Sequence, residues 1–239
     1  MKSILFSVMF SLSSLAQAAV VVVPQISGKY SARIQINQCD KYACKGSARV
    51  SLFSLETHEK IVEIESEDFS ISVSRNSNSN EESFTATDDG DIVIGDFNFD
   101  GHDDVAIQNG HNGSYGYASY DVYTYDAKRQ VYSLNLELTR LTGGEYLGMF
   151  HVDKKRRRLL AYNKAADRAF SSFEFISDVR GVRKTCEKSE IWDMSDSLVK
   201  VTVKTLEHNK WLTRERSFSD DLYDFNKMAA RGRCAFLNQ

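Results

Sequence analysis

The chain has 239 residues, 42% of them hydrophobic, with 30 Lys and Arg against 33 Asp and Glu and a formal net charge of −3. So balanced a charge leaves no electrostatic footprint for nucleic acid, which needs a marked basic surplus. The composition is that of an ordinary globular protein able to bury one sizeable core.

At the N-terminus Lys2 precedes an apolar run from Ile4 to Leu15, too short to span a bilayer, and then the small-x-small triplet Ala16-Gln17-Ala18. This order is that of a secretory signal peptide, 1–18, cleaved after Ala18. No cysteine lies near the cleavage point and no later segment is apolar enough to cross a membrane. The expectation is an exported, periplasmic protein of one β-rich domain, 19–239, that is not a lipoprotein and makes no membrane insertion.

Strands then follow in quick succession. They are predicted over 20–23 and 29–37, the latter with Tyr30, Ala32, Ile34 and Ile36 alternating against Ser31, Arg33, Gln35 and Asn37, the period of a half-buried sheet. Residues 48–55, 60–65 and 69–73 continue the pattern, and the polar run 75–83 reads as an exposed loop. Four cysteines in an exported protein imply two disulfides. Cys39 and Cys44 bracket Asp-Lys-Tyr-Ala, a natural hairpin tip, and by elimination Cys186 pairs with Cys234 and ties the chain end back to the sheet.

Between two β-prone runs, Ile92-Val93-Ile94 and Val105-Ala106-Ile107, lies the most specific pattern of the chain. Counting from Asp96, side-chain oxygens fall at loop positions 1, 3, 5 and 9: Asp96, Asn98, Asp100 and Asp104. His102, at position 7, would offer its backbone carbonyl, and Gly101 supplies the sharp turn. A tightly coiled loop turns every second side chain inward, which suits a hard cation such as calcium and sends Phe97 and Phe99 outward into packing. Position 12, the place of the bidentate Glu in an EF-hand, is Ile107, and the flanks are strands. A strand–loop–strand calcium site with a structural role is expected.

The Gly/Asn-rich segment 108–117 feeds a strand over 118–126. Its glycines and asparagines permit positive φ, and Tyr115 and Tyr117 bring large amphipathic surface with little rotamer entropy to lose, as recognition tips do; the competing reading packs both tyrosines over the calcium loop at the core edge. Strands at 131–138 and 145–152 lead to the basic run 153–158, read as a hairpin turn in preference to a patch for an anionic envelope polymer. Further strands are predicted over 158–163, 169–176, 185–192, 198–206 and 210–218. A closing helix over 219–231 has Ser219 as N-cap, Asp220 and Asp221 in its first turn, and Leu222, Phe225 and Met228 at helical spacing. Many short strands and one short helix make an all-β chain, either an irregular β-propeller or a large sandwich. A single Asp-x-Asn-x-Asp-Gly segment speaks against a regular, many-bladed propeller.

Catalytic signatures are missing. His58, His102, His111, His151 and His208 show no paired spacing, and there is no Gly-x-Ser-x-Gly elbow or phosphate-binding glycine loop. The acidic pairs Glu65/Glu67 and Asp220/Asp221 are no more than any chain with 33 acids offers. The sequence favours a binding protein over an enzyme.

Three runs carry a resemblance: Gly95-Asp96-Phe97-Asn98-Phe99-Asp100-Gly101-x-Asp103-Asp104, Asn109-Gly110-x-Asn112-Gly113-x-Tyr115-Gly116, and Ser119-Tyr120-Asp121-Val122-Tyr123-x-Tyr125-Asp126. Together they resemble exported immunity proteins of xanthomonads, which protect bacteria from peptidoglycan-hydrolysing effectors of a killing type IV secretion system. The calcium segment alone also resembles the FG-GAP repeat. The resemblance implies a distorted β-propeller-like fold with one calcium loop. It also implies inhibition of a lysozyme-like peptidoglycan hydrolase effector through a polar, Tyr-tipped loop, with Asn112, Ser114 and Tyr115 replacing substrate contacts in the cleft. It departs at Ala165-Ala166-Asp167-Arg168-Ala169, where relatives carry a Gly-Cys segment. A second reading from a different class is an envelope glycan-binding or adhesion module whose calcium loop shapes the ligand surface.

Overall fold

The computed structural model describes residues 18–75, 83–87, 92–165, 168–178 and 180–220. Outside them lie the predicted signal peptide apart from Ala18, most of the 75–83 loop, Cys234, and the predicted closing helix beyond Asp220.

Alternating apolar residues build the first unit. Strands β1 (Ala19–Ile26), β2 (Tyr30–Cys39), β3 (Ala43–Ser54), β4 (Lys60–Arg75) and β5 (Ser83–Ala86) form a closed barrel. Neighbouring strands pair antiparallel, and a parallel pairing of β1 with β5 closes the ring. In β2, Ala32, Ile34 and Ile36 face inward while Arg33, Gln35 and Asn37 face solvent, as the period of two demands. The sequence predicts two strands where β4 runs as one, because a register shift opposite Gly46 and Ala48 lets it bend and continue. The β2–β3 turn is closed by the Cys39–Cys44 disulfide and by Asp40 Oδ1, which accepts from the amides of Tyr42 at 2.7 Å and Ala43 at 2.8 Å.

The second unit is a four-stranded antiparallel sheet of β6 (Ile92–Gly95), β7 (Asp104–Gln108), β8 (Tyr120–Asp126) and β9 (Val131–Leu134). The third has six strands: β10 (His151–Asp153), β11 (Arg158–Ala165), β12 (Ala169–Asp178), β13 (Gly181–Asp193), β14 (Leu198–Glu207) and β15 (Lys210–Ser219). Strand β7 is buried along its whole length because it is covered on both faces. Its Val105 and Ile107 join the barrel core of Val21, Ile34, Val50, Leu52 and Phe69. Ala106 joins a second core with Phe97, Val122, Leu159, Phe173 and Phe175 of the third sheet. The loop leaving β6 for β7 therefore leads into the strand that the two cores share, with its tip at Asp100, Gly101 and His102 exposed.

The all-β expectation stands, with most described residues in strands and one short helix. The propeller expectation is not what the pairing of the described strands builds, which is a barrel and two open sheets. Period and spacing report strands without their partners, so barrel closure left no mark on the pattern. Two predicted strands also shorten. Asn135 Oδ1 accepts from the amides of Glu137 at 3.2 Å and Leu138 at 3.1 Å, so the end of the 131–138 prediction is helix α1 (Leu136–Arg140). Gly144 and Gly148 take positive φ, and only the end of 145–152 is strand, in β10. Ser219 ends β15, and the predicted 219–231 helix lies beyond it, outside the described residues apart from Asp220. No helix among the described residues is long and apolar enough to cross a membrane.

Candidate metal loop and recognition surface

The 96–104 segment coils back on its own side-chain oxygens. Asp96 accepts from the amides of Asp100 (Oδ1, 2.9 Å) and Gly101 (Oδ2, 3.0 Å). Asn98 Oδ1 accepts from the Asp100 amide at 3.0 Å while its Nδ2 donates to Asp100 Oδ2 at 2.9 Å, and Asp100 Oδ1 accepts from the His102 amide at 2.9 Å. Phe99 and Gly101 are left-handed, at φ 58° and 93°, which tightens the coil. Phe97 and Phe99 point away from it into the second core, with Phe97 edge-on to Phe150 at 5.4 Å.

Asp104 lies at the base of the coil, fully buried. Its Oδ2 accepts from the amides of Phe97 at 2.8 Å and Asn98 at 3.3 Å, and its Oδ1 from the Tyr125 amide at 3.0 Å. Burial, joined by the charge of Asp100, pushes its carboxyl up from 3.8 to about 7 against those amide bonds. No described ion pair involves it. A buried carboxylate without a cation, beside further oxygen donors, fits a hard cation such as calcium. Among the described residues no three His, Cys, Asp or Glu side chains form a metal-binding group; the loop's donor set includes the Asn98 amide and the His102 carbonyl.

Two contacts lock this loop that no local pattern could announce. Arg157, in the β10–β11 turn, donates to the Phe99 carbonyl and lies 5.4 Å from the centre of the Phe99 ring. The basic run is thus a turn, as expected, yet two of its arginines are engaged, since Arg156 pairs with Asp153 at 2.7 Å and with Glu174 at 2.9 Å. On the barrel side Asp103 Oδ2 accepts from Lys29 at 2.8 Å and from Tyr30 at 3.1 Å. Burial and then the Asp103 charge push the Tyr30 hydroxyl up to about 12, so it remains a donor.

The 109–117 segment leaves β7 held on two sides. Asn109 Oδ1 accepts from the amides of Glu67 at 2.9 Å and Asp68 at 3.3 Å, while its Nδ2 donates to Asp121 at 2.7 Å. Buried Gln108 accepts from Ser70 through Oε1, from the amide at 2.8 Å and the hydroxyl at 3.0 Å. Across the segment, the Ser114 amide donates to the Tyr146 carbonyl and the Gly144 amide to the Asn112 carbonyl, at 2.8 and 2.7 Å. Asn112 is exposed, Ser114 half-buried, and Asn112 is pinned internally to Ser119 Oγ. Tyr115 sits in a short 3-10 turn at φ 57°, 64% exposed, and Tyr117 is 53% exposed. Of the two readings of these tyrosines, the structure has them outward.

Cys186 is itself disulfide-bonded, and its expected partner, Cys234, lies outside the described residues. The Cys39–Cys44 bond points to folding in an oxidising compartment.

Fold and site together define a class: a disulfide-containing all-β protein in which a barrel and two sheets present an acidic coil and a braced tyrosine loop. Its fold is similar to a solved structure described as that of a Xanthomonas type IV secretion system related protein. The TM-score is 0.61 at 18% identity, over 79% of this chain and 90% of that one. No protein-family model matches the chain. No curated protein matches it significantly.

Proposed function

We propose that this is a periplasmic immunity protein that blocks a lysozyme-like peptidoglycan glycoside hydrolase by inserting the 110–117 loop into its active-site cleft. The observation that carries this reading is a loop anchored to two elements while Tyr115 and Tyr117 are turned outward. A loop ordered before contact loses little entropy on binding, and tyrosine brings wide amphipathic surface with few rotamers. A glycosidase cleft offers two carboxylates and sugar-stacking walls, which the Asn112 amide, the Ser114 hydroxyl and the tyrosine rings can satisfy. The secretion-system association of the structural neighbour supports the reading. Calcium would be held by Asp96, Asn98, Asp100, the His102 carbonyl and Asp104. There it would neutralise the buried carboxylate and stiffen the coil beside the recognition strand.

The test is peptidoglycan turnover by lysozyme-like hydrolases with and without the protein, in calcium and then in chelator. Inhibition is expected, and Tyr115→Ala should weaken it by about 2 kcal/mol, in the range of an interface aromatic anchor, with an unchanged melting temperature. Full inhibition by the variant would defeat the loop assignment.

One feature favours the glycan-binding alternative. A groove of about 580 Å³ on the barrel wall is lined by Gln35, Asn37, Arg49, Glu65, Asn109 and Asp121 among others, a mixture of amide, carboxylate and guanidinium suited to sugar hydroxyls. Retention on peptidoglycan without effect on any hydrolase would favour that alternative.

A further inference from the structure

Calcium takes six to eight oxygens, and the loop supplies five donor residues, with the apolar Ile107 where an EF-hand has its last carboxylate. With one oxygen from each donor residue, at least one position is filled from outside the coil. Two of the five donors, Asn98 and Asp100, line one wall of a cleft of about 240 Å³ whose other lining residues are Asn135, Ser177, Asp178, Gly181 and Val182. A water occupies about 30 Å³ in the liquid, so the cleft has room for several.

One group on the far wall is anomalous. Ser177 is only 4% exposed, yet its hydroxyl makes no hydrogen bond among the described residues. Among the described residues no fully enclosed side-chain oxygen lacks a partner, so the Ser177 Oγ reaches open space, and the space that Ser177 lines is the cleft. A hydroxyl that faces so narrow a space finds its hydrogen-bond partner in what fills that space. The wall is also built to stay in place. Glu137 Oε2 accepts from the Val182 amide at 2.7 Å, and a Cβ at Gly181 would stand 2.6 Å from the same oxygen. Asp178, by contrast, already has its carboxylate engaged by Arg180 at 2.9 Å.

Resting on the calcium reading above, we propose that the β12–β13 turn closes the cation site from across the cleft, with Ser177 Oγ holding a cation-bound water at the position that Ile107 cannot fill. The metal site is then shared between two sheets.

The experiment is calorimetric titration of chelator-stripped protein with calcium chloride, for wild type, Ser177→Ala and Ser177→Thr. Loss of an outer partner of a metal site lowers affinity by about ten-fold or more, so Ser177→Ala should bind calcium that much more weakly, while Ser177→Thr, which keeps the hydroxyl, should stay close to wild type. Both variants should melt with the wild type in chelator, since the hydroxyl makes no bond within the protein. Wild-type affinity in Ser177→Ala would overturn the assignment and leave the loop reading intact. An equal fall in melting temperature with and without calcium would reduce Ser177 to a packing role and overturn it as well. A wild type that takes up no calcium would remove the loop reading, and this one with it.

Discussion

Asp104 holds a carboxyl against its own burial. Without a cation, its folded-state carboxyl keeps a proton up to about pH 7, whereas the unfolded chain releases it near 3.8. Between those values the folded state binds more protons, so metal-free stability falls as pH rises through the window and levels off above it. Three pKa units correspond to at most about 4 kcal/mol. Melting curves in chelator should therefore drop from pH 4 to pH 7, and the gain on adding calcium should grow over the same range. A gain that does not change with pH would mean that Asp104 is not a ligand. Asn109 makes a second residue-scale case. Its Oδ1 meets two amides that β4 leaves unpaired at its register shift, at exposed Glu67 and Asp68, so Asn109→Ala should cost about 1 kcal/mol in denaturant titration, the net worth of hydrogen bonds that water can replace.

Among the elements, the recognition turn depends on close approach of backbones. A Cβ on Gly113 would lie 2.8 Å from the Tyr117 carbonyl and 3.0 Å from that of Tyr146. Gly113→Ala should push the turn off its support and weaken hydrolase inhibition more than it lowers the melting temperature; the reverse order would show the turn to be scaffolding. This element also marks the boundary of what the sequence discloses. The alternation of β2 and the spacing of Asp96, Asn98, Asp100 and Asp104 are local, and both were legible because residues two apart report on one another. Asn135 was read as strand because a cap competes with a β-prone flank, and one side-chain oxygen decided the outcome. The bond from Arg157 to Phe99 spans 58 residues, and those from Gln108 and Asn109 to β4 span about 40, distances at which periodicity carries no information.

For the whole molecule, the two cores meet along β7, and the barrel is tied to the acidic coil through Lys29, Tyr30 and Asp103. Asp103→Ala removes that tie while leaving both cores filled. Hydrogen exchange should then show chelation loosening β6 to β9 with little change in the barrel, where wild type responds in both. An identical response in the two proteins would place the coupling in β7 packing alone.

The parallel contact between β1 and β5 has a bearing on the order of folding. The ring closes on its own first strand, and every barrel residue lies within the stretch that ends at Ala86. A chain delivered N-terminus first can thus assemble four successive antiparallel pairings and seal them before the acidic coil has emerged. The later sheet then completes the barrel core with Ile92, Val105 and Ile107. The slow step falls at the ring closure, because β1 must wait, half paired, for a strand some sixty residues behind it.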